Sequence, residues 1–176
     1  GIKMIGTENN EIPTVTISIS IPGGHLLQAN DLSKVGLAGL FSRMMNEDTI
    51  DVSVCIDMSG SISDAMAKDF LSEVKGIMEE YKDFKLDLWC FDTEIYNYQK
   101  FTGDTADEIN DYKCQGGGGT DFDVNFEFMK DRDIQPKKFI MFTDGYPCGT
   151  WGEENYCDTM FLIHGPASIK PPWGLW

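Results

Sequence analysis

The chain has 176 residues, 41 % of them hydrophobic, with a formal charge of −15 at pH 7. That length suits one domain of ordinary size with or without an appendage, and the apolar share is enough for a buried core, which excludes a disordered chain. The negative excess argues against nucleic acid and anionic membrane surfaces as partners, and no apolar run is long enough to span a bilayer.

In chain order, residues 2–6 and 14–21 read as strands, the second alternating with Val15, Ile17, Ile19 and Ile21 on one face. Asp31 or Ser33 can cap a helix running to about residue 45, with Val35, Leu37, Leu40, Phe41, Met44 and Met45 at helical spacing. From Ile50 onward the pattern changes to strands alternating with helices. The near-continuous apolar run 51–56 predicts a strand covered on both faces. Ser63 or Asp64 opens a predicted helix to residue 81, with Met66, Phe70, Val74, Ile77 and Met78 inward. Residues 85–91 form the next predicted strand, Thr93-Glu94 a tight turn, and 95–98 an antiparallel return. Residues 106–112 read as a short helix, 114–120 as a glycine loop, 122–130 as a helix, and 138–143 and 159–164 as strands. This rhythm indicates an α/β fold: a doubly wound, mostly parallel sheet with helices on both faces, preceded by a strand–strand–helix appendage. The expected division is residues 1–49 and 50–176. The two tryptophans of the tail, Trp173 and Trp176, either seal the core edge or mark a truncation.

Five cysteines in no spacing framework favour a reducing compartment, with Cys55 and Cys90 as small buried hydrophobes. Cys148 and Cys157 leave open a disulfide or, with His164, a metal site, although no CxxC pair supports the latter. No basic, apolar leader opens the sequence. A soluble, cytoplasmic protein is therefore expected, and virion association is compatible with the same features.

The chemistry concentrates at three strand or loop ends. Asp57, Ser59 and Ser61 follow the apolar run at alternate positions; Thr120 follows four glycines; Asp144 follows the strand 138–143. In an open parallel sheet, ligands collect beyond the carboxyl ends of the strands. Two carboxylates and three hydroxyls converging there would suit a hard cation, Mg2+ or Mn2+, that prefers six oxygens and keeps some waters. Ser59 and Ser61 would ligate directly, Thr120 directly or through water, and Asp57 and Asp144 directly or by holding waters. A partner's carboxylate, from Asp or Glu, would take the open position. Taken singly, a strand-end Asp is more often a turn residue and a glycine run more often a loop; the argument rests on all three together.

This Asp-x-Ser-x-Ser, Thr and Asp set resembles the metal-ion-dependent adhesion site of von Willebrand factor type A domains over residues 50–164. The segments Thr143-Asp144-Gly145-Tyr146-Pro147, Trp151-Gly152 and Tyr156-Cys157-Asp158-Thr159 are similar, more narrowly, to the VWA-like domain of bacterial and phage proteins that often follows a metallopeptidase domain. The resemblance implies a Rossmann-like sheet, metal-mediated protein binding and no catalysis by the domain itself, with the last strand and helix missing or replaced. Residues 1–49 more weakly resemble the opening of insulinase-like (pitrilysin) zinc peptidases. Where that family's His-x-x-Glu-His motif would fall stand Gly39, Ser42 and Arg43, which cannot bind zinc, so peptidase chemistry is not carried over.

Enzyme motifs are incomplete. A dehalogenase-type phosphatase needs a second Asp where Ser59 stands, there is no Gly-x-Ser-x-Gly elbow, and no Lys precedes Thr120 to make a P-loop. The expected function is a divalent-metal-dependent protein-binding module. The alternatives are an accessory subunit of a metallopeptidase or virion assembly, and a metal-dependent hydrolase.

Overall fold

The computed structural model describes residues 50–81, 83–166 and 168–176. The expected appendage, residues 1–49, lies outside the described residues. β1 (Ile50–Asp57), β2 (Phe84–Phe91), β4 (Lys138–Thr143) and β5 (Asp158–Ile163) pair in parallel, and β3 (Ile95–Thr102) returns antiparallel along β2. The sheet order is β3-β2-β1-β4-β5, so the chain steps outward from β1 in both directions. That reversal puts the carboxyl ends of β1 and β4 at the switch point, the natural place for a site.

β1, β2, β4 and β5 alternate between two cores. Ile50, Val52, Val54 and Ile56 of β1, with Leu86, Leu88, Cys90, Ile140 and Phe142, point to one face. There α1 (Asp64–Glu80) lays down Met66, Phe70, Val74, Ile77 and Met78, the residues at its apolar spacing. The helix begins where the sequence allows: the Ser63 hydroxyl accepts from Met66 N at 3.3 Å. On the opposite face Cys55, Trp89, Phe91, Phe139, Met141 and Phe161 meet Phe122, Phe126 and Met129 from α2 (Asp123–Asp131) and its approach. Within this core Trp89 Nε1 donates to Asn125 Oδ1 at 2.7 Å, so the buried indole is satisfied. Both faces are covered, as expected of a parallel sheet. Among the described residues no helix is long and apolar enough to cross a membrane.

Two expectations change in detail. The predicted helix over 106–112 is a 3-10 stretch, Gly103–Asp111, capped by the extended residue Tyr112. Its apolar residues Ala106, Ile109 and Tyr112 fall three apart, which matches three residues per turn rather than 3.6. β3 runs four residues further than the predicted return over 95–98; polar Gln99 and Lys100 conceal its end, and a bulge opposite Leu88 and Cys90 breaks its alternation. The tail packs along the core edge, one of its two expected roles: Leu175 exchanges backbone hydrogen bonds with β5, accepting from Phe161 N at 2.7 Å and donating to Thr159 O at 3.0 Å. Trp173 packs on Phe126 and Phe161, and Trp176 joins the same core.

Candidate functional site

Asp57 closes β1 in a fully buried position, paired in register with Phe91 of β2. Both its oxygens are engaged. Ser59 N donates to Oδ1 at 2.8 Å, and Thr143 Oγ1, at the end of β4, donates to Oδ2 at 2.6 Å. Thr143 Oγ1 in turn accepts from Gly145 N at 3.0 Å. The carboxylate therefore fastens the first serine and orients the turn that carries Asp144. Burial, opposed by these hydrogen bonds and aided by the nearby Asp144 charge, pushes the Asp57 carboxyl above its ordinary value.

Ser59 is buried and Ser61 exposed, and their hydroxyl oxygens lie 3.3 Å apart. Asp144 is buried too, and its Oδ1 has no hydrogen-bond partner. An ionised carboxylate oxygen shielded from water without a donor is unfavourable unless something positive meets it.

Thr120 comes to this rim through its backbone. The glycine loop bonds to the serine loop, Gly60 N donating to Gly118 O at 2.9 Å, and Thr120 O accepts from Cys148 N at 2.8 Å. The fit is close: Gly116 has φ +152°, and a Cβ there would fall 2.6 Å from Met58 Cβ. The fold thus links the segments carrying Ser59, Thr120 and Asp144. Direct side-chain contact joins Ser59 to Ser61, while the Asp144 charge acts on Asp57 as a like-charge repulsion.

Sequence reasoning missed Asp92, one residue past β2. Its Oδ2 accepts from Gly118 N at 2.8 Å, while Oδ1 accepts from Thr93 N, from Glu94 N at 3.0 Å and from Tyr96 OH at 3.1 Å. One buried carboxylate therefore pins the glycine loop to the β2–β3 turn. Burial raises its carboxyl, but the donors from Gly118, Glu94, Thr93 and Tyr96 outweigh it and hold the group below its ordinary value. The available signal was only an Asp-Thr-Glu turn after an apolar strand, indistinguishable locally from any other turn.

The depressed value sets the sign of a pH effect. Asp92 contributes stability that is present above the ordinary carboxylate pKa of about 3.9 and is lost as pH falls through the lower folded value. Asp92→Asn, which keeps one acceptor and loses the charge, should lower stability at pH 7 by about 2 kcal/mol, the scale of a charge-assisted hydrogen bond. The difference from wild type should shrink as the pH is taken below 3.9; thermal melts across pH 2–7 check both points. An Asn variant equal to wild type at pH 7 would remove Asp92 as the anchor of the loop.

Neighbouring polar groups have structural partners. Asp121 Oδ1 accepts from Asp123 N at 3.0 Å, and Asp123 Oδ1 accepts from Thr150 Oγ1 at 2.6 Å, so both organise the start of α2. The His164 ring packs edge-on against Phe70, and the His164 backbone N–H donates to Thr143 O at 2.9 Å. Cys148 and Cys157 are free thiols, the first exposed. Among the described residues no three or more His, Cys, Asp or Glu side chains cluster to hold a metal. Any cation held at this rim would rely on hydroxyl oxygens as well as the carboxylates.

The family model described as "VWA-like domain (DUF2201)" matches residues 52–175. No curated protein matches the chain.

Proposed function

From the premise that the chain belongs to the VWA-like domain family, we propose that it is a divalent-cation-dependent protein-binding module. The reading takes Mg2+, or Mn2+, as the ion and Asp57, Ser59, Ser61, Thr120 and Asp144 as the residues around it. The observation that carries it is the buried, unpartnered Asp144 Oδ1 beside a second buried carboxylate. Two like charges held near each other away from water are relieved by a cation.

The chain's own groups divide the work. Asp57, with both oxygens already hydrogen-bonded, supplies charge and orients Ser59 and Thr143. Ser59, Ser61 and Thr120 would offer neutral oxygens, and Asp144 the free carboxylate oxygen. An ion held by few charged ligands stays electrophilic, so a partner's Asp or Glu side chain is the group that best completes it. Asp92 positions the glycine loop.

Titration calorimetry with Mg2+ and Mn2+ is the test. One site is expected, weakened on the order of ten-fold in Ser61→Ala and in Asp144→Asn more severely. Affinity should fall toward acidic pH as the carboxylates protonate. No heat with either metal would remove the reading. Metal-dependent turnover of phosphoester or peptide substrates that dies in Asp144→Asn would replace it with the hydrolase reading.

A further inference from the structure

The rim beyond β1 and β4 is acidic and bare. Residues 57–64, 91–95, 114–123 and 143–149 form it, and they hold seven carboxylates and no Lys, Arg or His. Gly60 and the glycines at 116–119 are exposed, and Gly60 N donates to Gly118 O. Three of these glycines answer to the fold itself. A Cβ would fall 2.6 Å from Met58 Cβ at Gly116, 2.9 Å from Asp92 Oδ2 at Gly118 and 3.2 Å from Thr93 Cγ2 at Gly119. Gly60 does not. Its φ lies outside the left-handed region, and beyond its chain neighbours a Cβ there would meet Gly117 O at 3.5 Å and Gly118 O at 3.6 Å, ordinary contacts. The side chain it lacks leaves room above the rim, not inside the fold.

One aromatic side chain stands at the edge of this glycine shelf. Tyr146, 58 % exposed, is the one large hydrophobic residue that is exposed among the described residues. It sits between two fixed points of the backbone. Gly145 N donates to Thr143 Oγ1, and Cys148 N donates to Thr120 O at the end of the glycine loop. The ring is therefore carried on a held segment, two residues from the unpartnered Asp144 carboxylate.

We propose that this rim docks an extended protein segment that carries an Asp or Glu beside an Arg or Lys. The proposal rests on the cation-dependent function above and adds the partner's chemistry to it. The segment's carboxylate completes the ion, its backbone lies over the shelf at Gly60, and its cation meets the Tyr146 ring and the surrounding carboxylates. A segment with acidic residues alone would bring more negative charge to a rim whose own segments hold no cation. Arginine suits the ring best, because a planar guanidinium stacks on an aromatic face. Arg132 lies over Tyr98 and Phe128 in this way elsewhere in the chain.

The experiment uses the full chain and acetylated, amidated pentapeptides with a central Glu flanked on both sides by Arg, Leu or Ser. An Arg-flanked peptide with Gln at the centre is the control. Each is titrated by ligand-observed NMR with and without saturating Mg2+. The Arg-flanked Glu peptide should require Mg2+ and bind several-fold tighter than the other three, an advantage that shrinks as NaCl is added. Tyr146→Phe should keep that advantage and Tyr146→Ser lose most of it, with Mg2+ affinity unchanged in both. Gly60→Ala should keep the wild-type Tm and Mg2+ affinity and weaken every Glu peptide several-fold. Leu or Ser peptides that bind as tightly as the Arg peptide, or a Tyr146→Ser variant equal to wild type, overturn the partner chemistry. A Gly60→Ala variant that binds peptide as wild type does, or loses Mg2+ affinity as well, overturns the shelf. Mg2+ binding with no peptide binding overturns the docking proposal and leaves the metal reading standing. Arg-selective peptide binding in a protein that gives no heat with Mg2+ or Mn2+ overturns the metal reading and leaves the Tyr146 contact standing.

Discussion

Asp57→Asn should leave the metal-free protein at least as stable as wild type at pH 7 while removing most of the Mg2+ response that the proposed function predicts. Asp57 is fully buried, and burial is the largest influence pushing its carboxyl above the ordinary value. A carboxyl raised in the fold binds its proton more tightly there than in the unfolded chain. Its contribution to stability is full below the unfolded pKa of about 3.9 and is lost as pH rises through the folded value. At neutral pH the ionised group is thus a net burden on the apo-protein. Asparagine removes the charge and keeps the shape. Its Oδ1 can still accept from Ser59 N, and its Nδ2 can donate to Thr143 Oγ1, which now serves Gly145 N as an acceptor and has a second lone pair.

Under the proposed function, the metal response should move the other way. Losing an outer charge that orients a ligand weakens a metal site by about 10–100-fold. A ligand present at 100 times its dissociation constant stabilises by about 2.7 kcal/mol, so most of that increment disappears in the variant at the same Mg2+ concentration. Scanning calorimetry with and without 10 mM-scale Mg2+, on the order of what weak extracellular-type sites need, gives both readings from one pair of samples. A metal-free Asn variant melting well below wild type would mean that the two hydrogen bonds to the charged form outweigh its burial.

Gly152→Ala should be the most destabilising single-methyl change in the described part of the chain. Gly152 has φ +84°, and a Cβ built there lies 1.9 Å from Phe126 Cε2. Neither partner has room to give. Phe126 is buried between Phe139, Tyr156 and Trp173, and the Gly152 backbone is held by Thr150 Oγ1, itself bonded to Asp123. Overpacking a core costs about 1–3 kcal/mol, and a left-handed backbone about 1–2 kcal/mol more for any residue with a Cβ. A loss of about 2–5 kcal/mol corresponds to a fall in Tm on the order of 10 °C or more for a domain of this size. Gly76→Ala is the control. It lies within α1 with nothing within 4 Å of a new Cβ, so alanine should stabilise by about 0.5–1 kcal/mol through helix propensity. Equal melting temperatures for the two variants would show that the loop after β4 yields freely and does not clamp α2.

Local pattern carried much of this protein. The apolar run of β1, the helical spacing from Met66 to Met78 and the strand ending at Thr143 specify burial with a short period, and burial is what builds a two-faced parallel sheet. Once that sheet exists, a polar residue just past β1 or β4 must stand at its rim, so Asp57, Ser59 and Asp144 were legible as a group. The contacts that organise the rim were not. Thr143 reaches Asp57 across 86 positions and Gly118 reaches Asp92 across 26, and each residue alone looks like an ordinary strand end or turn. Gly152 likewise reads as a loop glycine until Phe126 is seen beside it. Hydrophobic periodicity repeats every two or 3.6 residues and is written many times along a segment, whereas a hydrogen bond between distant turns involves one donor and one acceptor with no repeat to betray it. Only the pairing of β1 with β2 and β4 brings those single groups within reach, and that pairing decides which of the chain's many acidic residues sit at the rim.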